Sequence, residues 1–199
     1  TDVKRMLAYS SIAHAGFMMT AFVGASQAIT GSKPGALTSV SSVMFYLVAY
    51  GAATIGAFAL VTMVRDPTGE ATTLNSWIGL GRRHPLAATI FSIFMLSFAG
   101  IPLTSGFVGK WAVFAAAWSG GVQWLVVVAV VISVVAAFFY IRVIVLMFFA
   151  DPGKIGTSVV RPGWTTLTAV GVGVVATVAF GVFPGPLLAL AQQAGEFIR

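Results

Sequence analysis

The sequence predicts an all-α integral membrane protein with about five transmembrane helices, one of which is discontinuous between Gly100 and Gly106. Hydrophobic residues make up 58% of the 199 residues and charged residues only 8%, whereas about a quarter of the residues of a soluble domain are charged. The apolar residues form runs of the length, about 20 residues, that a helix needs to cross a bilayer. Proline, glycine and charged residues cluster between these runs, where loops are expected.

The five apolar runs form a single predicted transmembrane bundle that occupies the whole chain, 1–199. Each run has the length of a membrane-spanning helix, and the third contains the predicted break. The predicted spans are about 7–29, 43–64, 86–119, 122–149 and 165–190.

The first span carries Ser10 and His14, which are four residues apart and therefore share one face of the helix. A histidine inside the bilayer can gain or lose a proton near neutral pH, so this pair is a candidate proton relay. The alternative is a neutral histidine that only hydrogen-bonds to a neighbouring helix. Lys4 and Arg5 are interpreted as anchors at the start of the helix, with electrostatic tuning of the relay as a second role.

The second span places Tyr46, Tyr50 and Thr54 on one stripe of the helix. Packing between helices is the preferred interpretation of this stripe, and a hydroxyl lining of a proton path is the alternative. Trp77, in the polar loop that follows, is predicted to lie in the headgroup region on an interfacial segment.

The third span is too long for one straight helix. A continuous helix over this stretch would be about 50 Å long, against a hydrocarbon core of about 30 Å. Gly100, Pro102 and Gly106 predict where the helix breaks, because proline lacks an amide donor and glycine tolerates unusual backbone angles. Irregular backbone at membrane depth needs protein or a water-filled cavity to satisfy its polar groups. The polar side chains predicted to line such a cavity are those of Thr104, Ser105 and Lys110.

A simple kink is the alternative to a functional break, with Lys110 reaching towards the lipid headgroups. A cation at the centre of a bilayer is costly, however, and it usually faces the interior of a helix bundle. The sequence therefore favours a functional site at the break.

The fourth and fifth spans carry few polar residues. The fourth is almost uniformly apolar until Tyr140 and Arg142, which predicts broad contact with lipid or with partner subunits. Arg142 is near enough to the end of the span to reach the headgroups. The glycines of the fifth span predict a packing face and no chemistry.

Basic residues concentrate on one side of the predicted bundle. With five spans, the N-terminus and the loops 65–85 and 150–164 share one side, and the positive-inside rule makes that side cytoplasmic and places the C-terminus outside. The basic residues on this side are Lys4, Arg5, Arg65, Arg82, Arg83, Lys154 and Arg161, against Lys33 and Arg199 on the other. The net charge of +6 is therefore a matter of topology, since no basic stripe with exposed aromatics predicts binding to nucleic acid.

Several classes of chemistry are not predicted for this chain. It has no cysteine, which excludes disulfides, thiolate metal sites and iron-sulfur ligation within it. It has no glycine-rich dinucleotide motif after a strand and no histidine pair suited to haem. No signal-peptide pattern is seen at its start. No metal site and no catalytic redox residue are predicted here.

Two blocks of sequence resemble one protein family. LSFAGIPLTSGFVGKW, at 96–111, is similar to the second broken helix of the antiporter-like proton-pumping subunits of bacterial NADH-quinone oxidoreductase (respiratory complex I), in which a lysine follows the break. KRMLAYSSIAHAGF, at 4–17, is similar to an earlier helix of the same family. Within that family the blocks are most similar to the N-type subunits. The resemblance covers the chain as the C-terminal part of a longer subunit, the second half of an inverted-repeat fold.

The resemblance implies a function and an environment. The chain would be a non-redox, proton-translocating subunit in a bacterial plasma membrane, with lipid, other membrane subunits of complex I and neighbouring antiporter-like subunits around it. NADH, flavin, iron-sulfur clusters and a quinone, with menaquinone as the candidate, would belong to partner subunits, and no cofactor to this chain. The implied proton path contains Lys110, His14, Ser10, Ser105 and Thr104.

Two other functions are compatible with the same residues. One is a subunit of a multisubunit cation/proton antiporter, which would share the broken helix and its lysine. The other is a structural membrane scaffold, in which the polar residues only join helices. Sodium-dependent transport without NADH dehydrogenase subunits would indicate the antiporter, and proton pumping that is unchanged after replacement of Lys110 would indicate the scaffold.

Overall fold

The computed structural model describes residues 2–23, 38–151 and 157–196, and within these ranges the chain is predominantly helical. One short 3-10 helix, Leu74–Trp77, lies in the loop after the second helix. The α-helices are α1 Val3–Val23, α2 Ser39–Met63, α3 Leu80–Arg83, α4 Pro85–Ala99, α5 Ser105–Ser119, α6 Gln123–Phe149, α7 Trp164–Val182 and α8 Gly185–Glu196.

The predicted multi-pass helical membrane fold is confirmed. Four helices, α1, α2, α6 and α7, are long and apolar enough to cross a membrane. The helices α4 and α5 together form the discontinuous span, with the break between Ala99 and Ser105. α2 begins where the side chain of Thr38 accepts a hydrogen bond from the amide of Ser41, and α4 begins with Pro85 at its first position, both common ways to start a helix.

The boundaries of the last predicted span differ from the structure, whereas part of the first span is not described. Residues 24–29, the predicted end of the first span, lie outside the described residues. The last span, predicted as 165–190, is too long, because α7 ends at Val182 and α8 begins at Gly185. Pro184 has no amide hydrogen and disfavours helical angles at Phe183, so the helix cannot continue through it.

The core of the bundle is built around α2. Large buried side chains from several helices meet there, among them Phe45, Phe91, Phe94, Phe98 and Leu60. α8 covers one part of α2, where Ala191 packs with Phe45 and Ala49. α6 and α7, in contrast, bury only a few of their residues, which agrees with the predicted contact of α6 with lipid or partner subunits. Arg142 is exposed on α6, and its reach to the headgroups stays a prediction.

A small antiparallel sheet, absent from the prediction, closes one end of the bundle. Its strands are β1 Val64–Asp66, β2 Gly69–Glu70 and β3 Ser158–Val159, in the order β2-β1-β3. A further bridge joins Asp2 to Thr73. The N-terminal end of α1 and parts of both long loops therefore lie on the same side, as the charge pattern requires. Lys33, Lys154 and Arg199 lie outside the described residues.

The indole of Trp77 is enclosed by protein, so the prediction that it contacts lipid headgroups is wrong. Its side chain is fully buried, and its indole nitrogen donates a hydrogen bond to the carbonyl of Ala71 at 2.7 Å. The indole packs against the ring of Phe91, with 4.5 Å between ring centroids. The loop folds over the ends of α4 and α6, where Gly79 donates to the carbonyl of Leu146, and thus encloses the indole.

An ion pair at this end of the bundle predicts a pH dependence of stability. The ammonium of Lys4 donates a hydrogen bond to the carboxylate of Glu70 and holds the pKa of that carboxyl below its usual value of 4.5. A lowered pKa stabilises the folded state above the ordinary pKa, and this contribution is lost as the pH falls through the folded-state pKa. We expect Glu70→Gln to lower the free energy of unfolding by less than about 1 kcal/mol at about pH 7, which would lower the Tm slightly.

Thermal unfolding of the assembled protein at several pH values measures this effect. The difference between wild type and Glu70→Gln should shrink as the pH falls below the usual carboxyl pKa of 4.5. Asp151→Asn is the matched control, because its pair with Arg82 is far more exposed and should contribute less at any pH. A Glu70→Gln difference that is constant with pH would show that the ion pair is not its cause.

Candidate functional site

The break between α4 and α5 begins with a regular helix ending. Gly100 has φ +83°, a left-handed conformation that favours glycine. Its amide donates to the carbonyl of Ser97, and the amide of Ile101 donates to that of Leu96, both at 3.0 Å. This pair of bonds is a Schellman motif. It satisfies two of the four carbonyls that the end of a helix leaves without a partner.

The other two carbonyls of this ending belong to Phe98 and Ala99. In a continuous helix they would accept from the amides of Pro102 and Leu103, but proline has no amide hydrogen. The linker then turns away from the helix axis through Leu103, whose φ of 71° is unusual for a residue other than glycine. Two buried backbone acceptors thus point out of the end of α4.

The ammonium of Lys110 occupies the space beside these carbonyls. Lys110 lies in the second turn of α5, and long helical side chains lean back towards the start of their own helix. Its Nζ donates to the carbonyls of Phe98 at 2.9 Å and Ala99 at 3.2 Å, and to the hydroxyl of Ser133 on α6 at 2.7 Å. The side chain is only 5% exposed, and Nζ lies 5.2 Å from the ring centroid of Phe17. The break therefore holds a buried cation inside the bundle.

Thr104 and Ser105 lie at the break, but they bond to other groups. The hydroxyl of Thr104 donates to the carbonyl of Ile101 at 2.7 Å. The hydroxyl of Ser105 lies 3.5 Å from that of Ser97, which also accepts from the amide of Gly106 at 3.1 Å. The Thr104 hydroxyl therefore bonds to the backbone of the linker, and the Ser105 hydroxyl lies at the contact between α4 and α5. Their predicted place in a proton path stays a prediction.

His14 is buried in a cage of aromatic side chains. It is 1% exposed, and its Nδ1 lies 2.7 Å from the hydroxyl of Tyr46. Its ring stacks on Tyr50, with 4.1 Å between centroids, and meets Phe17 and Phe98 edge to face. The Nε2 atom has no hydrogen-bond partner in the part of the chain that the structure describes.

Two further hydroxyl pairs extend from this cage. Tyr140 on α6 donates to the hydroxyl of Ser10 at 2.6 Å, and Tyr50 donates to that of Ser11 at 3.1 Å. The face of α1 that carries Ser10 and His14 is therefore turned into the bundle, towards α2 and α6. At this depth the hydroxyl donors face hydroxyl acceptors of neighbouring helices and not lipid.

Lys4 and Arg5 are separated from this cluster. Lys4 lies ten residues before His14, about 15 Å along the helix, and pairs with Glu70. Arg5 is exposed, and its amide donates to the carboxylate of Asp2. Both residues lie at the end of the bundle that carries the small sheet. Their electrostatic tuning of the proton relay stays a prediction.

Four residues of the cluster were missed or assigned to packing by the sequence analysis. The sequence favours packing roles for Tyr46 and Tyr50, and it assigns no role in the site to Tyr140 or Ser133. The stripe of tyrosines was visible in the sequence. For Ser133 the available signal was a lone hydroxyl in an otherwise apolar run, QWLVVVAVVISVV, at 123–135.

Lys110 and His14 lie in neighbouring buried polar sites, and no hydrogen bond joins them among the described residues. They share two neighbours: the Phe17 ring faces both, and Phe98 offers its carbonyl to Lys110 and its ring to His14. Lysine and histidine can each exchange a proton, and the tyrosine and serine hydroxyls can relay one. Among the described residues no cluster of three or more metal-ligating acidic, histidine or cysteine side chains is present.

Comparisons with known proteins relate this arrangement to a family. The family model described as "NADH:quinone oxidoreductase/Mrp antiporter, TM" matches residues 1–136. Subunit N of NADH-quinone oxidoreductase from Rhodococcus opacus (strain B4) is 57% identical over 198 residues, which are 100% of this chain and 35% of the relative. NADH-quinone oxidoreductase subunit N 3 from Streptomyces griseus is 56% identical over 199 residues, which are 100% of this chain and 34% of that relative.

A solved structure has the same fold. A chain of respiratory complex I from Thermus thermophilus with bound aureothin has a TM-score of 0.75 and 34% sequence identity, over 95% of this chain and 40% of that chain. The present chain thus spans about a third of the length of the curated relatives it matches.

Proposed function

The chain belongs to the NADH:quinone oxidoreductase/Mrp antiporter family of transmembrane proteins, and on this premise we propose that it is a proton-translocating membrane subunit of an NADH-quinone oxidoreductase. The relatives that match its full length are named as subunit N of that complex. A protein of this kind moves protons through side chains and water and does no redox chemistry itself.

The observation that carries the proposal is the position of Lys110. A lysine buried in a membrane bundle is costly unless it serves a purpose, and this one lies against the free carbonyls of a broken helix. A scaffold would need neither the break nor the cation. The geometry instead provides a titratable group at the point where the backbone of the bundle is irregular.

The chain's own residues suggest how a proton would move. Lys110 holds a proton while its Nζ donates to Phe98, Ala99 and Ser133. His14 can take up a proton at one ring nitrogen and release a proton from the other, and the hydroxyl of Tyr46 lies against Nδ1. Ser10 and Tyr140 place further hydroxyls beside the cage. Water in the remaining gaps would complete the path between the histidine and the lysine.

Electron transfer belongs to other subunits in this proposal. NADH, flavin, iron-sulfur clusters and a quinone, with menaquinone as the candidate, would be bound by partner subunits. Neighbouring antiporter-like subunits and lipid would cover the exposed faces of α6 and α7. We place the protein in a bacterial plasma membrane with the loops 65–85 and 150–164 cytoplasmic and the C-terminus outside, because the basic residues favour that orientation.

Replacement of His14 tests the proposed function. We expect His14→Phe to lower NADH-driven proton pumping more than it lowers the amount of assembled complex, because phenylalanine fills the aromatic cage but cannot carry a proton. Inside-out membrane vesicles containing the whole complex provide both measurements: acidification of the lumen per NADH oxidised, and the yield of intact complex.

Two comparisons make this test specific. Tyr46→Phe removes only the hydroxyl that faces Nδ1 of His14 and should reduce pumping less than His14→Phe does. Equal losses of pumping and assembly in His14→Phe would make the histidine a packing residue. The same vesicles separate the antiporter alternative, since sodium-dependent proton transport in the absence of NADH would favour that function.

A further inference from the structure

The three oxygens that hold the ammonium of Lys110 make a site in their own right. Phe98 and Ala99 each contribute a backbone carbonyl and Ser133 contributes a hydroxyl oxygen, at 2.9, 3.2 and 2.7 Å from Nζ. We propose that these oxygens form a binding site for a small monovalent cation, and that Lys110 fills this site with a cation tethered to the chain.

The ligands of the site suit a cation with a single positive charge. All three ligands are neutral oxygens, and the two carbonyls lie at the end of α4, where the helix dipole is negative. The acidic side chains that the structure describes all lie outside the membrane-spanning helices, at Asp2, Asp66, Glu70 and Asp151. Divalent ions such as Ca²⁺ are normally bound with carboxylates. Neutral oxygens at the carboxyl end of a half-helix instead suit Na⁺ or an ammonium group.

The site does not depend on the lysine for its shape. The carbonyls are oriented by the Schellman motif at Gly100 and by the missing amide hydrogen of Pro102. Ser133 is fixed on a separate helix and is 9% exposed. The ring of Phe17, 5.2 Å from Nζ, adds an attraction for any cation at this point. Removal of the ammonium therefore leaves an oriented and sheltered set of acceptors.

Buried acceptors without a donor are unfavourable, so the emptied site should take up a substitute. Na⁺ and methylammonium are the probes, since both are singly charged and small enough for the space that a lysine side chain vacates. One corollary rests on the proposed function: the tethered ammonium would keep free metal ions out of a proton path. The binding site itself does not rest on it.

The experiment uses the assembled complex with Lys110→Ala. Its Tm is measured in sodium chloride, methylammonium chloride and N-methyl-D-glucamine chloride at equal ionic strength, the last cation being too large for the site. We expect Na⁺ or methylammonium to raise the Tm of the variant saturably, by about 2–4 °C. The wild type should show no difference between the three salts, because Lys110 already fills the site.

Two double variants identify the ligands. Lys110→Ala with Ser133→Ala lacks one of the three oxygens and should need a several-fold higher cation concentration for the same shift. Lys110→Ala with Ser92→Ala is the matched control. Ser92 is another buried serine, but its hydroxyl donates to Ala88 one turn back in α4 and all three oxygens remain. This control should keep the cation response of the single variant.

A second variant guards against failure to assemble. Lys110→Ser leaves most of the space open and can donate one hydrogen bond to the freed oxygens, and it should show the same response. Equal Tm values in the three salts for both variants would overturn the proposal. Failure of both variants to assemble in sodium-containing buffer would also overturn it, since a filled cation site should replace the ammonium. Proton pumping in these variants bears on the proposed function alone.

Discussion

Lys110→Ala should abolish or strongly reduce proton translocation while the complex still assembles. The variant removes the titratable group that lies against the free carbonyls of Phe98 and Ala99. A positioned acid or base commonly contributes at least a hundredfold to a proton transfer, so we expect the rate of pumping through this chain to fall by at least about tenfold. NADH-driven acidification of inside-out vesicles, normalised to NADH oxidation, measures the loss.

Lys110→Arg separates charge from proton exchange. Arginine keeps a positive charge that can donate to the same oxygens, but its guanidinium effectively does not deprotonate in proteins. We therefore expect assembly close to wild type and pumping that is not fully restored. If Lys110→Ala leaves the ratio of protons to electrons at the wild-type level in an intact complex, Lys110 is an anchor and the proposed mechanism is wrong.

Gly106→Ala should strongly lower the yield of assembled complex. A Cβ atom at this position would lie 1.9 Å from the carbonyl oxygen of Ser97 and 2.7 Å from its carbonyl carbon. These are backbone atoms of α4, so the contact can be relieved only if one half-helix moves. Overpacking of a dense core costs about 1–3 kcal/mol, and the displacement also strains the hydrogen bond from the amide of Gly106 to the hydroxyl of Ser97.

Gly51→Ala is the control for this variant. Gly51 is a helical glycine of α2, and a Cβ atom there would have no neighbour within 4 Å. Its replacement should leave assembly unchanged or improve it slightly, by up to about 1 kcal/mol from helix propensity. The yield of intact complex on native gels distinguishes the two variants. Wild-type yield of Gly106→Ala would mean that α4 and α5 are not packed as the structure shows.

The helical membrane fold and the place of the break could be predicted because both depend on local sequence. Hydropathy determines which segments enter a bilayer, and Pro102 cannot donate a backbone hydrogen bond within a helix whatever surrounds it. The resemblance of the two sequence blocks to N-type subunits is confirmed by the family match and by the relatives that cover the chain. His14 and Lys110 were likewise recognisable, because ionisable residues are rare in membrane spans.

The partners of these residues could not be predicted, since they depend on how distant helices cross. Ser133 meets Lys110 only because α6 passes the end of α4, and a lone serine in a helix can equally bond to its own backbone. The tyrosine stripe of α2 was identified, but nothing in a single helix distinguishes a hydroxyl that packs from one that contacts His14. The burial of Trp77 and the small sheet also depend on contacts between remote loops.

The hydrogen bond between Tyr140 and Ser10 joins two residues that are synthesised far apart in time. Its two residues are 130 positions apart in the chain. At about 5–20 residues per second, Tyr140 leaves the ribosome roughly 6 to 26 s after Ser10. His14 meets its partner sooner, since Tyr46 follows it by only 32 positions. Until α6 arrives, the hydroxyl of Ser10 can bond only within its own helix, and an early arrest of translation would leave α1 with Tyr46 beside His14 and without Tyr140 beside Ser10.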